Sequence, residues 1–265
     1  MTTTATATDL DSRPVPRLGG LSLTVLTLEV RRLLRNRRTL IFTMIMPSAF
    51  FLLFGLNKAY ANEPAGHGNV AAFILISMAL YGAVLATTSG GAMISIERSQ
   101  GWSRQLRLTP LSPPAYVATK MATSMVLGFF SVLVVYLVGA FTHRASMPVW
   151  LWIVTALCVW VGSLLFAAFG LFLGYLLPTE NVMQFMGFIL MLLAFGGGLF
   201  IPLSTYPHLL QVLAKYTPLY GLNQLVHAPL TGGAVDGWWA VNVVVWLVIF
   251  ASGAVWRFRK DTARV

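Results

Sequence analysis

Long uncharged apolar runs alternate along this chain with short polar stretches crowded with arginine. A helix that crosses a bilayer needs about 20 mostly apolar residues. Six stretches meet or approach that length: 40–56, which contains Pro47; 70–96; 121–142; 145–179, bounded by Pro148 and Pro178; 181–201; and 237–256. The first is short, and a start at a snorkelling Arg38 lengthens it. The fourth is long enough for one tilted helix. The pattern predicts an all-α membrane protein with six transmembrane helices, at about 39–57, 70–96, 120–142, 149–178, 181–202 and 237–256.

Two further segments are amphipathic but do not span. In 21–38, Leu26, Val30, Leu33 and Leu34 share one helical face and arginines take the other, the pattern of a helix lying in the headgroup plane. The alternative is a basic flank with accidental periodicity. In 204–236, apolar pieces at 208–215 and 219–226 are separated by Pro218. Each is too short to cross, so the expectation is a pair of outer re-entrant or interfacial helices. A loose outer loop would seldom carry so much Leu and Val. Residues 1–20 are rich in Thr, Ala and Pro and have no apolar core. They are expected to form a disordered cytoplasmic tail and not a cleavable signal. Residues 257–265 are expected to be a second cytoplasmic tail.

Basic residues set the orientation. Of 18 Lys and Arg, only Lys58, Arg144 and Lys215 fall on one side of the six-span arrangement. The remaining fifteen fall on the other, which is therefore cytoplasmic and holds both termini. An even number of spans is required for this, and six satisfies it.

Composition narrows the function. Only 10% of residues are charged and 57% are hydrophobic, against about 25% charged in soluble domains, so a soluble enzyme is excluded. The net charge of +10 is accounted for by topology, without nucleic acid. Cys158 is the single cysteine, which rules out an intramolecular disulfide and a CxxC metal site. No Gly-Lys pair exists, so no nucleotide-binding loop of the GxxxxGK[ST] type is present. His67, His143, His208 and His227 all fall in predicted loops, as solvated outer-face residues. Ser89-Gly90-Gly91 resembles a membrane-protease serine, yet no histidine lies in a predicted span to act as its base.

The predicted span interiors hold no Asp, Glu, Lys, Arg or His, and Gln184 and Asn242 are their most polar residues. Proton-driven carriers place ionisable groups there, and channels show polar rings. Sodium coupling through carbonyls and hydroxyls stays open. If the chain moves a solute, its energy is expected from another chain. Gly82, Ala86 and Gly90, and Gly170 and Gly174, recur at four-residue spacing, which marks close helix contacts. Gly196, Gly197 and Gly198 predict a bend or hinge near the end of the fifth span.

The loop after the second predicted span reads Glu97-Arg98-Ser-Gln-Gly101-Trp102-Ser-Arg104-Gln-Leu106-Arg107-Leu108-Thr109-Pro110-Leu111-Ser112, followed by Lys120. It resembles the ERExGTxxxLxxTPLS-like signature of type-2 ABC transporter permeases, in which a lysine opens the third span. A second match runs from Phe195-Gly-Gly-Gly-Leu-Phe-Ile-Pro202-Leu-Ser through Pro207 to Tyr216-Thr-Pro218-Leu219. It is similar to that family's outer segment. A departure stands at Ser99-Gln100-Gly101-Trp102, where the family has an acidic residue and Gly-Thr. It points to a drug- or antibiotic-resistance subgroup.

The resemblance implies the membrane half of an ABC exporter in the bacterial plasma membrane. It would pair with a second permease protomer, as homo- or heterodimer, and with two copies of a cytoplasmic ABC ATPase. ATP and Mg2+ would be bound by that ATPase, with no cofactor in this chain and no catalytic motif. The segment 97–109 would be the cytoplasmic coupling helix. Glu97, Arg98, Gly101, Trp102, Arg104, Leu106, Arg107 and Thr109 are its candidate ATPase-coupling residues, with Trp102 and Leu106 on one face. The competing reading of Arg98, Arg104 and Arg107 is simple positive-inside charge. Dimer contacts would involve the first and fifth spans. Phe50, Phe51, Phe54, Met183, Met186 and Phe188 are candidate linings of a path for a hydrophobic or amphiphilic substrate, against the reading that they face lipid or neighbouring helices. A secondary carrier working alone and a non-transporting scaffold or regulator are the alternatives.

Overall fold

The computed structural model describes residues 23–101, 112–177 and 182–263. In chain order its elements are α1 (Leu23–Leu34), α2 (Arg37–Gly55), α3 (Lys58–Asn62), a ribbon of β1 (Pro64–Ala65) and β2 (Gly68–Asn69), α4 (Val70–Ala92), α5 (Ile94–Ser99), α6 (Pro113–Thr142), α7 (Val149–Gly162), α8 (Leu164–Leu176), α9 (Val182–Gly196), a 3-10 turn (Leu203–Thr205), α10 (His208–Ala214), α11 (Pro218–Thr231) and α12 (Gly237–Ala263). Among the described residues the fold is helical apart from the antiparallel ribbon, which pairs Pro64 with Asn69 and Ala65 with Gly68.

Four helical stretches are long and apolar enough to cross a membrane: Val70–Ser99, Pro114–Thr142, Val149–Leu176 and Gly237–Lys260. Two shorter apolar helices, Thr39–Gly55 and Gln184–Gly196, fall where the first and fifth spans are expected. Several boundaries move. The third expected span begins at Pro113, because proline at the first helical position lacks only an N–H that would have no partner there. The fourth breaks at Ser163, whose hydroxyl bonds the Trp160 carbonyl at 2.6 Å. The last continues to Ala263, so most of the expected tail at 257–265 is helix.

The glycine triplet stops its helix, so the expected bend or hinge gives way to a terminus. Gly198 takes φ +72°, and the Leu199 N–H turns back to the Ala194 carbonyl at 2.9 Å. Asn223 of α11 then donates to the carbonyls of Gly197 and Gly198, at 3.1 Å each.

α4 is the axis of the molecule. It is apolar all round, and a helix of that kind has no polar face to turn outward. All of it is buried except Val70, Phe73 and Ile74. Helices α2, α6 and α8 pack closely around it. The small residues make this possible. A Cβ on Gly82 would lie 2.6 Å from Ser131 Oγ, one on Gly90 would lie 2.8 Å from Ser124 Oγ, and one on Gly170 would lie 2.8 Å from the Thr88 Cα. The two predicted glycine stripes are therefore the contact lines of α4 with α6 and of α8 with α4.

α4 and α6 run antiparallel and are tied at both ends. At one end, Asn69 accepts from the Ala72 and Ser146 N–H groups at 2.9 and 3.0 Å and donates to the Arg144 carbonyl at 2.8 Å. At the other end lies the charged cluster described next.

Candidate functional site: a buried charge cluster and an aromatic row

The C-terminal end of α4 passes through Met93 into the single-turn helix α5, which carries Glu97. This carboxylate turns inward. It accepts from Lys120 Nζ at 2.7 Å, from Arg32 Nη1 at 3.0 Å and from the Tyr116 hydroxyl at 2.9 Å. Lys120 also reaches Glu29 Oε1 at 2.8 Å. Glu97 and Lys120 are each 5% exposed, whereas the Arg32 side chain is 45% exposed. Two carboxylates and two cations leave the cluster neutral. Burying such a pair is tolerable only when its charges are matched and hydrogen-bonded, and here they are.

The cluster joins three separate parts of the chain. Glu29 and Arg32 come from α1, Glu97 from α5, and Tyr116 and Lys120 from the first turns of α6. Tyr116 also packs on Phe258 of α12, with ring centroids 5.2 Å apart. Arg98 points the other way. Its guanidinium donates to the Gly174 and Tyr175 carbonyls at 3.3 and 3.1 Å and lies over the Tyr175 ring. It thereby caps the end of α8, where a cation also meets the negative end of the helix dipole.

Of the candidate coupling residues, Glu97 and Arg98 make the contacts just described inside the protomer. Gly101 takes φ +76°, a left-handed backbone that favours glycine, and no described residue lies within 4 Å of where its Cβ would stand. Trp102, Arg104, Leu106, Arg107 and Thr109 lie outside the described residues. Sequence reasoning marked Glu97 and Lys120 but missed Glu29, Arg32 and Tyr116. The available signal was the pair Glu29 and Arg32 on the inward side of an otherwise basic helix.

Midway along α4, rings form a row across the helix. Phe54 and Phe50 of α2 are 6.1 Å apart, Phe50 and Tyr81 6.4 Å, Tyr81 and Phe200 5.0 Å, and Phe200 and Phe195 5.3 Å. Of the candidate lining residues, Phe50 is half-buried in this row and Phe54 is exposed at its edge. Phe188 is exposed on α9. Phe51 and Met186 are core residues of the protomer, fully buried or nearly so. Nothing is assigned to the side chain of Met183, which lies outside the described side chains.

His227 departs from expectation most. It lies in α11, buried, with Nδ1 2.8 Å from the Asn223 carbonyl and Nε2 3.1 Å from Ser77 Oγ of α4. Its ring lies 4.1 Å from that of Phe73, tilted by 33°. Desolvation lowers its pKa below the usual imidazole value. Ser77 is 2% exposed, so this serine–histidine contact admits no substrate and holds α11 on the central helix.

A family model described as ABC-2 type transporter matches residues 22–230. The chain belongs to the ABC-2 type transporter family. This ABC-2 permease is similar to a Bacillus subtilis (strain 168) protein named "Putative transport permease YvfS", with 28% identity over 237 residues that cover 89% of this chain and 96% of that protein. It is a multi-pass membrane protein and the permease subunit of an ABC-2 type transporter. The family lacks an ATPase domain, so the permease is not itself the enzyme, and membership implies an ABC ATPase subunit as partner.

Proposed function

We propose that this ABC-2 permease forms the membrane path of an exporter for a hydrophobic or amphiphilic small molecule. The cargo class is a drug, an antibiotic or a lipid-like compound. Helices α2, α4 with α5, α6, α7 with α8, α9 and α12 make six crossings of a bacterial plasma membrane, with both termini cytoplasmic. A second permease protomer completes the path. Two copies of a cytoplasmic ABC ATPase bind ATP and Mg2+ and dock on the segment 97–109.

One observation carries this reading. The Glu97–Lys120 pair closes the base of the segment 102–111, and Arg32 and Glu29 tie that base to α1. A force applied to the segment therefore reaches a central helix, a flanking helix and the amphipathic α1 together. Buried, hydrogen-bonded charges transmit displacement because separating them leaves a charge without a partner. Support for the cargo class comes from the aromatic row, which offers an apolar surface with an exposed edge at Phe54. Support for pairing comes from exposed apolar residues on α2 and α9, among them Phe42, Leu53, Phe185 and Leu192.

The test is transport of a lipophilic fluorescent dye in inverted vesicles holding the permease with its ABC ATPase. Dye accumulation that requires both subunits and hydrolysable ATP is the expected result. Accumulation that persists without the ATPase makes the permease a secondary carrier, and no accumulation under any condition fits a scaffold.

A further inference from the structure

The end of α12 that carries Phe258, beside Tyr116 of the charge cluster, also carries a site outside the coupling and path assignments. A groove there is lined by Val248, Ala251, Ser252, Val255, Trp256 and Arg259. These positions follow one another at three- and four-residue steps along one helix face. Arg259 and Lys260 stand one turn beyond Val255 and Trp256, so cations stand at the end of an apolar strip on one helix face. Trp256 is 51% exposed and sits between two of them. Lys260 Nζ is 4.0 Å and Arg257 Cζ 5.3 Å from its ring centroid. Cation–π contacts hold both against the indole.

We propose that this groove binds one anionic phospholipid, with an acyl chain along Val248, Ala251 and Val255 and the phosphate held by Lys260 and Arg259. Charge complementarity selects the headgroup. Three cations against the single carboxylate of Asp261 leave 257–261 net positive, and each basic residue near a membrane surface contributes about 1 kcal/mol toward anionic lipid. The apolar wall selects a lipid over a free anion. It continues into Val244, Val245 and Ile249, which are exposed on the same helix, and a soluble phosphate gains nothing from them. An amphiphile has the same order of parts as the groove, apolar along its length and charged at its end. The site does not depend on the cargo or on ATPase docking.

Trp256 supplies the readout. The permease contains 8 tryptophans, so the signal of one is isolated as the difference between the full chain and its Trp256→Phe variant. The protein is placed in phosphatidylcholine bilayers doped with brominated phosphatidylglycerol or, at equal mole fraction, brominated phosphatidylcholine. Quenching of the Trp256 component should reveal a preference for phosphatidylglycerol of about fivefold or more. The double change Arg259→Gln/Lys260→Gln should lower it below about twofold, and Arg259→Lys, which keeps the charge, should retain it. Equal quenching by the two headgroups overturns the proposal. So does the absence of quenching by either, which means that protein covers the groove. Competition by free glycerol phosphate at the concentration of the lipid also overturns it, because the site then holds a soluble anion. The comparison of headgroups on the unmodified groove stands even if the double variant does not fold.

Discussion

Ser131 Oγ donates to the main-chain carbonyl of Thr43 at 3.0 Å. Four residues after Thr43 comes Pro47, which has no N–H to give that carbonyl its helical partner. Helix α6 thus supplies the bond that α2 lacks, at a place where Thr43 and Ser131 are 1% and 0% exposed. Without water, an unmet carbonyl is expensive. Ser131→Ala is expected to lower stability by about 1–3 kcal/mol. In a Pro47→Ala background, where the N–H returns, the same change should cost markedly less. Thermal unfolding in detergent micelles measures both, and an equal loss in the two backgrounds would refute the account.

The charge cluster makes a second prediction. Lys120→Met removes the cation that both Glu97 and Glu29 share, leaving Glu97 with Arg32 and the Tyr116 hydroxyl. Breaking a buried pair from one side costs about 3–5 kcal/mol. Adding Glu97→Gln to Lys120→Met should recover much of that loss, because the buried charge goes too. Arg32→Gln, at a half-exposed position, should cost under about 1 kcal/mol. Thermal melts of the four proteins decide it, and a double variant less stable than Lys120→Met contradicts the pairing.

Close approach of the central helices is tested by two glycines of unlike surroundings. At Gly170 a Cβ meets the backbone of Thr88, while at Gly187 nothing lies within 4 Å. Main chain cannot swing aside as a side-chain end does. Gly170→Ala should therefore destabilise the permease, and Gly187→Ala should be neutral or stabilising by up to about 1 kcal/mol through helix propensity. Unfolding midpoints that rank the two the other way exclude the tight crossing.

Much of this was legible in the sequence. Each of the six apolar stretches holds helix, four of them long and apolar enough to cross a membrane, Leu23–Leu34 falls within the amphipathic segment, and the two short apolar pieces after 204 are helices, because length and periodicity of apolar residues report burial directly. The glycine stripes marked true contact lines for the same reason. The triplet at 196–198 was harder to read. Glycine permits either a bend or a stop, and the choice rests on Asn223, which is distant in sequence. His227 was misplaced because it stands just past the apolar piece 219–226, where the short helix was expected to end, and its partner Ser77 lies on another helix. The coupling motif named Glu97 and Lys120, but a motif cannot show that Glu97 faces inward or that α1 supplies its other partners.

A pH dependence follows from His227. Burial lowers its pKa in the folded protein relative to the unfolded chain, so the native state holds it neutral. Below about 6.5, the ordinary imidazole value, the unfolded chain takes up a proton that the folded one refuses, and stability declines as pH falls. Above that value the contribution is complete. His227→Gln keeps a hydrogen-bonding side chain without the titration and should flatten the decline. Unfolding midpoints between pH 8 and pH 5, about one and a half units either side of that value, give the comparison. A wild-type curve with no greater acid sensitivity than the variant's would rule this out.

The final prediction concerns the segment beyond Gly101. Trp102 and Leu106 are four residues apart, the spacing at which two side chains share one helical face. In the proposed coupling role they form the apolar contact on the ATPase, while Glu97 and Lys120 fix the base behind them. Trp102→Asp/Leu106→Asp places two charges in that contact. It changes none of the residues Glu29, Arg32, Glu97, Tyr116 and Lys120. The expected outcome is loss of ATPase co-purification with membrane insertion and thermal stability retained. Lys120→Met should produce the opposite pair of effects, with stability reduced and the contact surface itself unchanged in sequence. Separating the two kinds of failure distinguishes docking from transmission. A Ser103→Cys substitution, labelled by an impermeant maleimide, gives an independent check of side. Labelling should occur in inverted vesicles and not in intact cells. If the thiol reacts from outside intact cells, or if the double aspartate variant binds the ATPase as well as the wild type, the segment is not the coupling element.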